Sequence, residues 1–291
     1  MSDRFALAKR LILQHTSLMT EVVRPKPYIG VSGVARFEQH NALYNIARRE
    51  GIALLGRFVM VGIQATGKTQ VLEIGNKYGQ MWHPVGDSIA DAAIADETGL
   101  TRPYIHCFFS GDNELSQGII NVMRRTRHYT RGLQLNGLPW VSQDYRPFIS
   151  NFRESYPDQS IILQAGNRTL GNHSPQEVAK ELGTMPVDYV LFDPSGGQGK
   201  AMDVGQIRTY VDEIYQRQIP VGVAVSGGLE AQNIQELFGS LEAEYHGLSC
   251  DAEGRLRKGP DGATELDILA TEAFILAWKE TIQNTNYGSE S

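Results

Sequence analysis

One unit of this sequence decides its fold class: 188-DYVLFDPSGGQGKAMDVGQIRTYVDEIYQR-217. An apolar run rich in β-forming residues ends at Asp193, a loop with three glycines follows, and Asp203 begins a segment of helical periodicity. The stretch therefore predicts a strand, a tight loop and a covering helix, which is the repeating unit of a parallel sheet.

The same alternation of strand and helix runs along the whole chain. Strands are predicted at 27–31, 57–63, 104–109, 132–136, 160–165, 188–193, 220–226 and 245–250, and helices at 37–50, 87–98, 113–127, 140–155, 175–183, 203–217, 230–239 and 264–282. Eight units in 291 residues favour the α/β class and a closed (β/α)8 barrel of the TIM type. We expect one barrel domain over 1–291, an N-terminal helical extension at 1–26, a hairpin-like insertion at 64–86 after the second strand, and a flexible polar tail at 284–291.

The composition is that of an ordinary globular protein, and it excludes several classes of partner. Apolar residues make up 41% of the chain, and the net charge of −6 offers no basic surface to a nucleic acid or an anionic membrane. Two cysteines, Cys107 and Cys250, indicate reduced thiols in the cytoplasm rather than a disulfide framework. We expect a cytoplasmic protein that binds a small phosphorylated substrate, as a monomer or a homodimer.

The segment GIQATGKT at 62–69 matches the pattern of a phosphate-binding P-loop. In a P-loop the lysine and threonine begin a helix, whereas the residues after Lys68 include two glycines and Pro84, which disfavour one. We interpret this segment as the turn of a short hairpin, and a P-loop nucleotide hydrolase is the weakest of three functional hypotheses.

Two glycine-rich turns follow successive predicted strands and point to a phosphate site elsewhere. The first holds Gly196, Gly197 and Gly199, and the second, in VSGGLEAQNI, holds Gly227 and Gly228. Glycine lets backbone N–H groups approach an anion closely, and the loops after the late strands of such barrels commonly bind phosphate. Alternatively, these glycines only make tight turns.

Four segments in register resemble the phosphoribosylanthranilate isomerase family of tryptophan biosynthesis. GGQGKAMD resembles that family's G-G-[ST]-G-K-x-F-D loop, VSGGLEAQNI its G-G-L-x-x-x-N segment, GLQLNG at 132–137 its V-Q-L-H-G strand end, and IGVSGVAR at 29–36 its K-I-C-G-I-T-[RN] strand. The resemblance spans 29–233 and covers most of the predicted barrel.

The resemblance implies an Amadori-type aldose–ketose isomerisation of a phosphorylated sugar without metal or organic cofactor. It implies that Asp193 is the general acid, that Ser32 stands where the family has its catalytic cysteine base, and that Arg36 and Asn136 line the substrate pocket. A serine hydroxyl acts as a base only beside a group that takes its proton, and the sequence identifies none. We therefore expect the standard reaction to be slow or absent, and a related isomerase or lyase reaction is a further hypothesis.

Other residues are candidates for the base by their position at strand ends or in loops: His106, Cys107, Asp144, Asp251 and Glu253. Glu253 would also place a negative charge near the phosphate, which Arg255, Arg257 and Lys258 could offset. The alternative from a different class is a catalytically silent barrel that binds a sugar phosphate in a regulatory or assembly role. The histidines and cysteines show no metal-ligand spacing, so no metal site is predicted.

Overall fold

The computed structural model describes residues 22–66, 98–108, 115–194, 202–258 and 265–287. Its strands are β1 Tyr28–Ser32, β2 Phe58–Thr66, β3 Thr101–Phe108, β4 Gly132–Asn136, β5 Ser160–Gly166, β6 Tyr189–Asp193, β7 Gly222–Ser226 and β8 Ser249–Ala252. Its helices are α1 Phe37–Arg49, α2 Leu115–Thr126, α3 Arg146–Ser155, the single turn α4 Asn167–Leu170, α5 Pro175–Leu182, α6 Val204–Gln216, α7 Ile234–Tyr245 and α8 Ile268–Tyr287. In the described residues, 3₁₀ turns occupy Ile52–Leu55 and Gly254–Leu256.

The eight strands pair in parallel in chain order and close into a barrel when β8 pairs with β1. This confirms the predicted (β/α)8 barrel. In the described residues, no helix is long and apolar enough to span a membrane.

Two apolar clusters stabilise the barrel because side chains alternate between the two faces of each strand. The larger cluster fills the space between the strands and the surrounding helices. The interior of the barrel is here called the lumen. The smaller cluster fills the lower half of the lumen and consists of Tyr28, Phe58, Met60, Tyr104, Ile162, Tyr189, Leu191 and Ala224. The lower lumen is therefore packed, and a ligand can enter only from the carboxyl ends of the strands.

The two largest boundary errors of the sequence analysis are the start of α3, predicted at 140 and observed at Arg146, and the connection between the last two strands. The helix predicted to end at 239 continues to Tyr245, and β8 begins at Ser249 instead of 245. Gly239 stays helical because α8 packs against it: a Cβ at this position would lie 2.8 Å from Thr281 Cγ2. A tertiary contact thus overrides the low helix propensity of glycine.

The predicted insertion and the two termini are only partly described. Residues 64–66, assigned to the insertion, belong to β2, where Ala65 and Thr66 lie in register with Cys107 and Phe108 of β3. The helix predicted at 87–98 lies almost wholly outside the described residues, as does the N-terminal extension, whose residues 22–26 are not helical. Helix α8 continues through 284–287, so this part of the predicted flexible tail is helical.

Candidate active site

A ring of polar side chains lies at the carboxyl end of the lumen, directly above the apolar cluster. Each of its members is the last or next-to-last inward-facing residue of its strand, and none is more than 7% exposed. The ring consists of Ser32, Gln64, His106, Gln134, Gln164, Asp193 and Asp251. So many buried polar groups at the catalytic end of the fold define a candidate active site.

Ser32 and Asp251 form the closest pair in the ring. The Ser32 hydroxyl lies 3.0 Å from both carboxylate oxygens of Asp251 and donates its hydrogen bond to them. Two glycines make room for the pair, since a Cβ on Gly30 would lie 2.7 Å from Asp251 Oδ1 and a Cβ on Gly62 would lie 2.5 Å from Ser32 Oγ. Asp251, one of the candidates for the base, is therefore the acidic group that lies beside Ser32.

The Asp251 carboxyl holds its proton unusually tightly. Burial raises its pKa from 3.8 to about 7, and the negative charges of Glu253 and Asp193 add to the effect. Hydrogen bonds from Ser32 and Gln134 oppose the rise. A carboxyl with a pKa near 7 can accept and return a proton at neutral pH, which suits a general base.

A chain of amides on β4 and β5 joins this pair to Asp193 of β6, because Gln134 also bonds to Asp251. Gln134 Nε2 donates to Gln164 Oε1 over 3.0 Å, and Gln164 Nε2 donates to Asp193 Oδ2 over 2.9 Å. The Trp140 indole donates to the backbone carbonyl of Gln164 over 3.3 Å. The predicted acid Asp193 and the carboxyl Asp251 thus belong to one buried network.

His106 lies in the same ring rather than in the apolar packing. Its Nε2 is 3.4 Å from the amide nitrogens of Gln134 and Asn136, both of which are donors. Burial lowers the pKa of His106, although the nearby carboxylates Glu253 and Asp193 raise it. His106 is therefore a neutral imidazole at pH 7. Asn136 contacts the ring through the Nε2 atom of His106.

Glu253 follows β8 and connects the ring to Gln64 of β2. Its carboxylate accepts a hydrogen bond from Gln64 Nε2 and lies 3.6 Å from the Arg257 guanidinium. Arg257 donates to the Gly33 carbonyl over 3.0 Å and occupies the space that a side chain at position 33 would need. Gly33 has a φ of +81°, so glycine is required there both for its backbone angle and for this contact. Arg257 thus offsets the charge of Glu253, as the sequence suggested.

The second glycine-rich turn lies beside the ring, after β7. Gly227 and Gly228 have φ angles of +128° and +61°, and the Asn233 side chain fixes the turn by donating to the Gly228 carbonyl over 2.8 Å. Met202 N donates to the Gly227 carbonyl over 3.2 Å, which brings the end of the β6–α6 loop against this turn. The two predicted phosphate loops therefore meet at their described ends. Gly196, Gly197 and Gly199 lie outside the described residues.

Three candidate residues lie away from the ring. The Arg36 guanidinium is half exposed and forms an ion pair with Glu265 at 2.7 Å. Asp144 forms an exposed pair with Arg146. Cys107 faces the larger apolar cluster, where burial raises the pKa of its thiol to about 12. The structure thus gives Asp144 and Cys107 no contact through which they could be the base. Among the described residues, no three His, Cys, Asp or Glu side chains are grouped to hold a metal ion.

The described part of GIQATGKT does not have the conformation of a P-loop. Gly62 to Thr66 are extended and paired with β3, whereas a P-loop needs these residues to wrap around a phosphate. The proposed hairpin turn at 67–68 lies outside the described residues. In its described part, the segment contributes Gln64 and the space at Gly62 to the site.

The sequence analysis missed the three glutamines of the ring, Gln64, Gln134 and Gln164. Each stands near the carboxyl end of an otherwise apolar strand, in RFVMVGIQ, GLQLN and SIILQA. A polar residue on the inward face of a barrel strand was the available signal.

The fold places this chain among the TIM-barrel proteins. The tryptophan synthase alpha chain of Legionella pneumophila subsp. pneumophila has a TM-score of 0.51 and 12% identity, over 95% of this chain and 97% of that chain. A citrate lyase of Burkholderia xenovorans LB400 has a TM-score of 0.50 and 11% identity, over 88% and 78%. A protein of Aquifex aeolicus VF5 has a TM-score of 0.51 and 13% identity, over 94% and 96%. No protein-family model and no curated protein matches the chain. At these identities the similarity establishes the fold alone.

Proposed function

We propose that this protein is an aldose–ketose isomerase that resembles phosphoribosylanthranilate isomerase and acts on a phosphorylated sugar. The observation that supports this most directly is the pair of buried carboxyls, Asp193 and Asp251, in one hydrogen-bonded network at the open end of the barrel. An isomerisation of this kind needs one group that gives a proton and one that takes a proton.

In this proposal Asp193 is the general acid. It protonates the ring oxygen of the aminoaldose, the bond from C1 to that oxygen breaks, and the open-chain iminium ion forms. Gln164 donates to one carboxylate oxygen of Asp193 and fixes its orientation.

Asp251 is the general base in place of the missing cysteine. It removes the proton from C2, the electron pair of that C–H bond forms the C1–C2 double bond of an enolamine, and the C1–N π pair returns to nitrogen. The enolamine then takes a proton at C1 while its 2-hydroxyl loses one, which leaves the ketone at C2. The Ser32 hydroxyl donates to Asp251 and positions the carboxylate, so Ser32 assists the base without itself losing a proton.

The turns at 196–199 and 227–228 would hold the phosphate, with Gly227 and Gly228 supplying backbone N–H groups. With this arrangement the anion would lie at the rim, away from the two carboxylates of the ring, Asp193 and Asp251, and from the neighbouring carboxylate of Glu253. A structure determined in phosphate or sulfate tests it: an anion at both turns supports the proposal, and an anion only at 62–69 contradicts it.

The role of Asp251 is tested by following the conversion of phosphoribosylanthranilate in Asp251→Asn, Ser32→Ala and the control Asp144→Asn. Loss of a general base lowers kcat by about 10²–10⁴-fold, so we expect this for Asp251→Asn, about tenfold for Ser32→Ala and no change for Asp144→Asn. Because the base must be ionised, kcat should rise with pH and level off above about pH 7.

Two outcomes would redirect the proposal. Faster turnover in Ser32→Cys than in the wild type would place the base at position 32. Binding of sugar phosphates without turnover in any variant would favour the alternative of a silent sugar-phosphate-binding barrel.

A further inference from the structure

Two buried carboxamide oxygens in the ring have no hydrogen-bond donor among the described residues. They are Oε1 of Gln64 and Oε1 of Gln134, and Nδ1 of His106 also has no partner there. The three residues occupy one row across neighbouring strands, since His106 lies in register with Gln64 on one side and with Gln134 on the other. Buried polar atoms are rarely left unsatisfied, so a row of three calls for an explanation.

The orientation of the Gln134 amide follows from its neighbours. Asp193 Oδ2 accepts a hydrogen bond, and the proton of the general acid is then carried by Oδ1, so Gln164 turns its NH₂ group toward Oδ2 and its oxygen toward Gln134. Gln134 must then present its own NH₂ group to that oxygen, and its Oε1 is left facing elsewhere.

The same reasoning fixes Gln64. The Glu253 carboxylate accepts from Gln64 Nε2, which leaves Gln64 Oε1 without a protein donor in the described chain. The carboxyl groups therefore fix the orientation of both amides. If the Gln134 amide were turned round, its oxygen would lie against Gln164 Oε1, and the Gln64 oxygen would likewise lie against the Glu253 carboxylate.

The chemistry of this row selects a ligand rich in hydrogen-bond donors. It offers two amide oxygens in a neighbourhood that also holds the carboxylates of Asp193, Asp251 and Glu253. The nearby cation, Arg257, donates to backbone carbonyls and pairs with Glu253. An anion would be repelled here, whereas hydroxyl groups satisfy the oxygens and can also accept from His106.

We propose that Gln64 and Gln134 are specificity-determining residues that bind the hydroxyl groups of the sugar through their amide oxygens. The hydroxylated carbons then lie deep in the lumen, and the phosphate points outward to the rim. This inference rests on the proposed function. It adds the residues that distinguish a fully hydroxylated sugar from its deoxy analogue.

The test is calorimetric titration with ribose 5-phosphate and with its 2-deoxy and 3-deoxy analogues. A site built to bind a hydroxyl rejects the analogue that lacks it. We expect wild-type protein to bind ribose 5-phosphate at least tenfold more tightly than one of the two analogues. Gln64→Leu and Gln134→Leu should each reduce that preference by weakening the binding of ribose 5-phosphate.

Gln159→Leu is the matched control. Gln159 is also buried, but its amide is fully bonded to Arg127 and Thr130 at the amino end of β5, away from the ring. The control should keep the preference of the wild type. Circular dichroism checks that each variant folds, and since Gln64 and Gln134 lie on different strands, either variant alone suffices for the test.

The outcomes separate this inference from the proposed function. Equal binding of all three sugars, or a preference that persists in both variants, overturns the inference and leaves the isomerase proposal standing. No binding of any sugar phosphate overturns both. Tighter binding of 2-amino-2-deoxyribose 5-phosphate than of ribose 5-phosphate would show that the oxygens take an ammonium group, and the assignment to hydroxyl groups would be wrong.

Discussion

Asp251 shows how burial changes the chemistry of a single residue. In the sequence it is one acidic residue among 33, but the barrel places it against Ser32 and within the field of two other carboxylates. Its pKa then lies near neutrality, which makes it the strongest candidate for the base that the sequence lacks.

This burial predicts a pH dependence of stability. The Asp251 pKa is about 7 in the folded protein and near 3.8 in the unfolded chain, so between these values unfolding releases a proton. Stability therefore falls as the pH rises from about 4 to about 7, by up to about 4 kcal/mol from this group. Urea unfolding of wild type and Asp251→Asn at pH 4.5, 5.5, 6.5 and 7.5 measures it. The wild type should lose stability relative to the variant with rising pH, and parallel curves would refute the assignment.

Gly62 is predicted to be required for the Ser32–Asp251 pair. In Gly62→Ala the new methyl group would overlap Ser32 Oγ, so we expect a loss of about 1–3 kcal/mol of stability. Gly254→Ala is the control, because a Cβ there meets nothing within 4 Å. Its stability should be unchanged or raised by up to about 1 kcal/mol. Equal effects in urea unfolding would show that the space beside Ser32 is not filled as described.

Among the elements, the connection from α7 to β8 depends on one buried ion pair. Glu242 of α7 accepts from Arg57 and from the backbone N–H groups of Gly247 and Leu248, at 3.0 and 2.8 Å. The Arg57 guanidinium also lies 5.4 Å from the Trp278 ring of α8. This cluster fixes where α7 ends and where β8 can begin.

Removing one partner of that pair should be costly. Glu242→Ala leaves Arg57 buried without its counter-charge, so we expect a loss of about 3–5 kcal/mol. The control is Glu244→Ala on the same helix, where the exposed pair with Arg208 contributes about 0–1 kcal/mol. Chemical denaturation of both variants measures the difference, and similar losses would contradict the burial of the pair.

At the scale of the whole molecule, stability depends on closure of the barrel. β8 joins β1 through Ile29, Gly30 and Val31, and joins β7 through three further pairs. A chain without β8 would expose the unpaired edges of β1 and β7, which invite association with other chains.

Deletion of residues 249–291 should therefore abolish cooperative unfolding and produce concentration-dependent association. Denaturant unfolding and sedimentation of the truncated and full-length proteins test this. A monomeric truncated chain that still unfolds cooperatively would show that the first seven strands form a stable unit without closure.

Strand periodicity and glycine-rich turns were sufficient to predict the fold class and the positions of most strands. These signals are local, because alternation of side chains and turn chemistry act between near neighbours. The boundary between α7 and β8 was wrong because it depends on two contacts between residues far apart in sequence. Gly239 packs against Thr281 of α8, and Glu242 pairs with Arg57.

The sequence by itself determined that this chain builds eight strand–helix units and that Asp193 ends the sixth strand. It could not determine that Ser32 meets Asp251 across 219 positions, nor that Gln64, Gln134 and Gln164 share a network with Asp193. Only closure of the barrel brings the ends of β1 and β8 together. The burial that this closure causes gives Asp251 its raised pKa and leaves two amide oxygens without a donor among the described residues, and both properties belong to the tertiary structure.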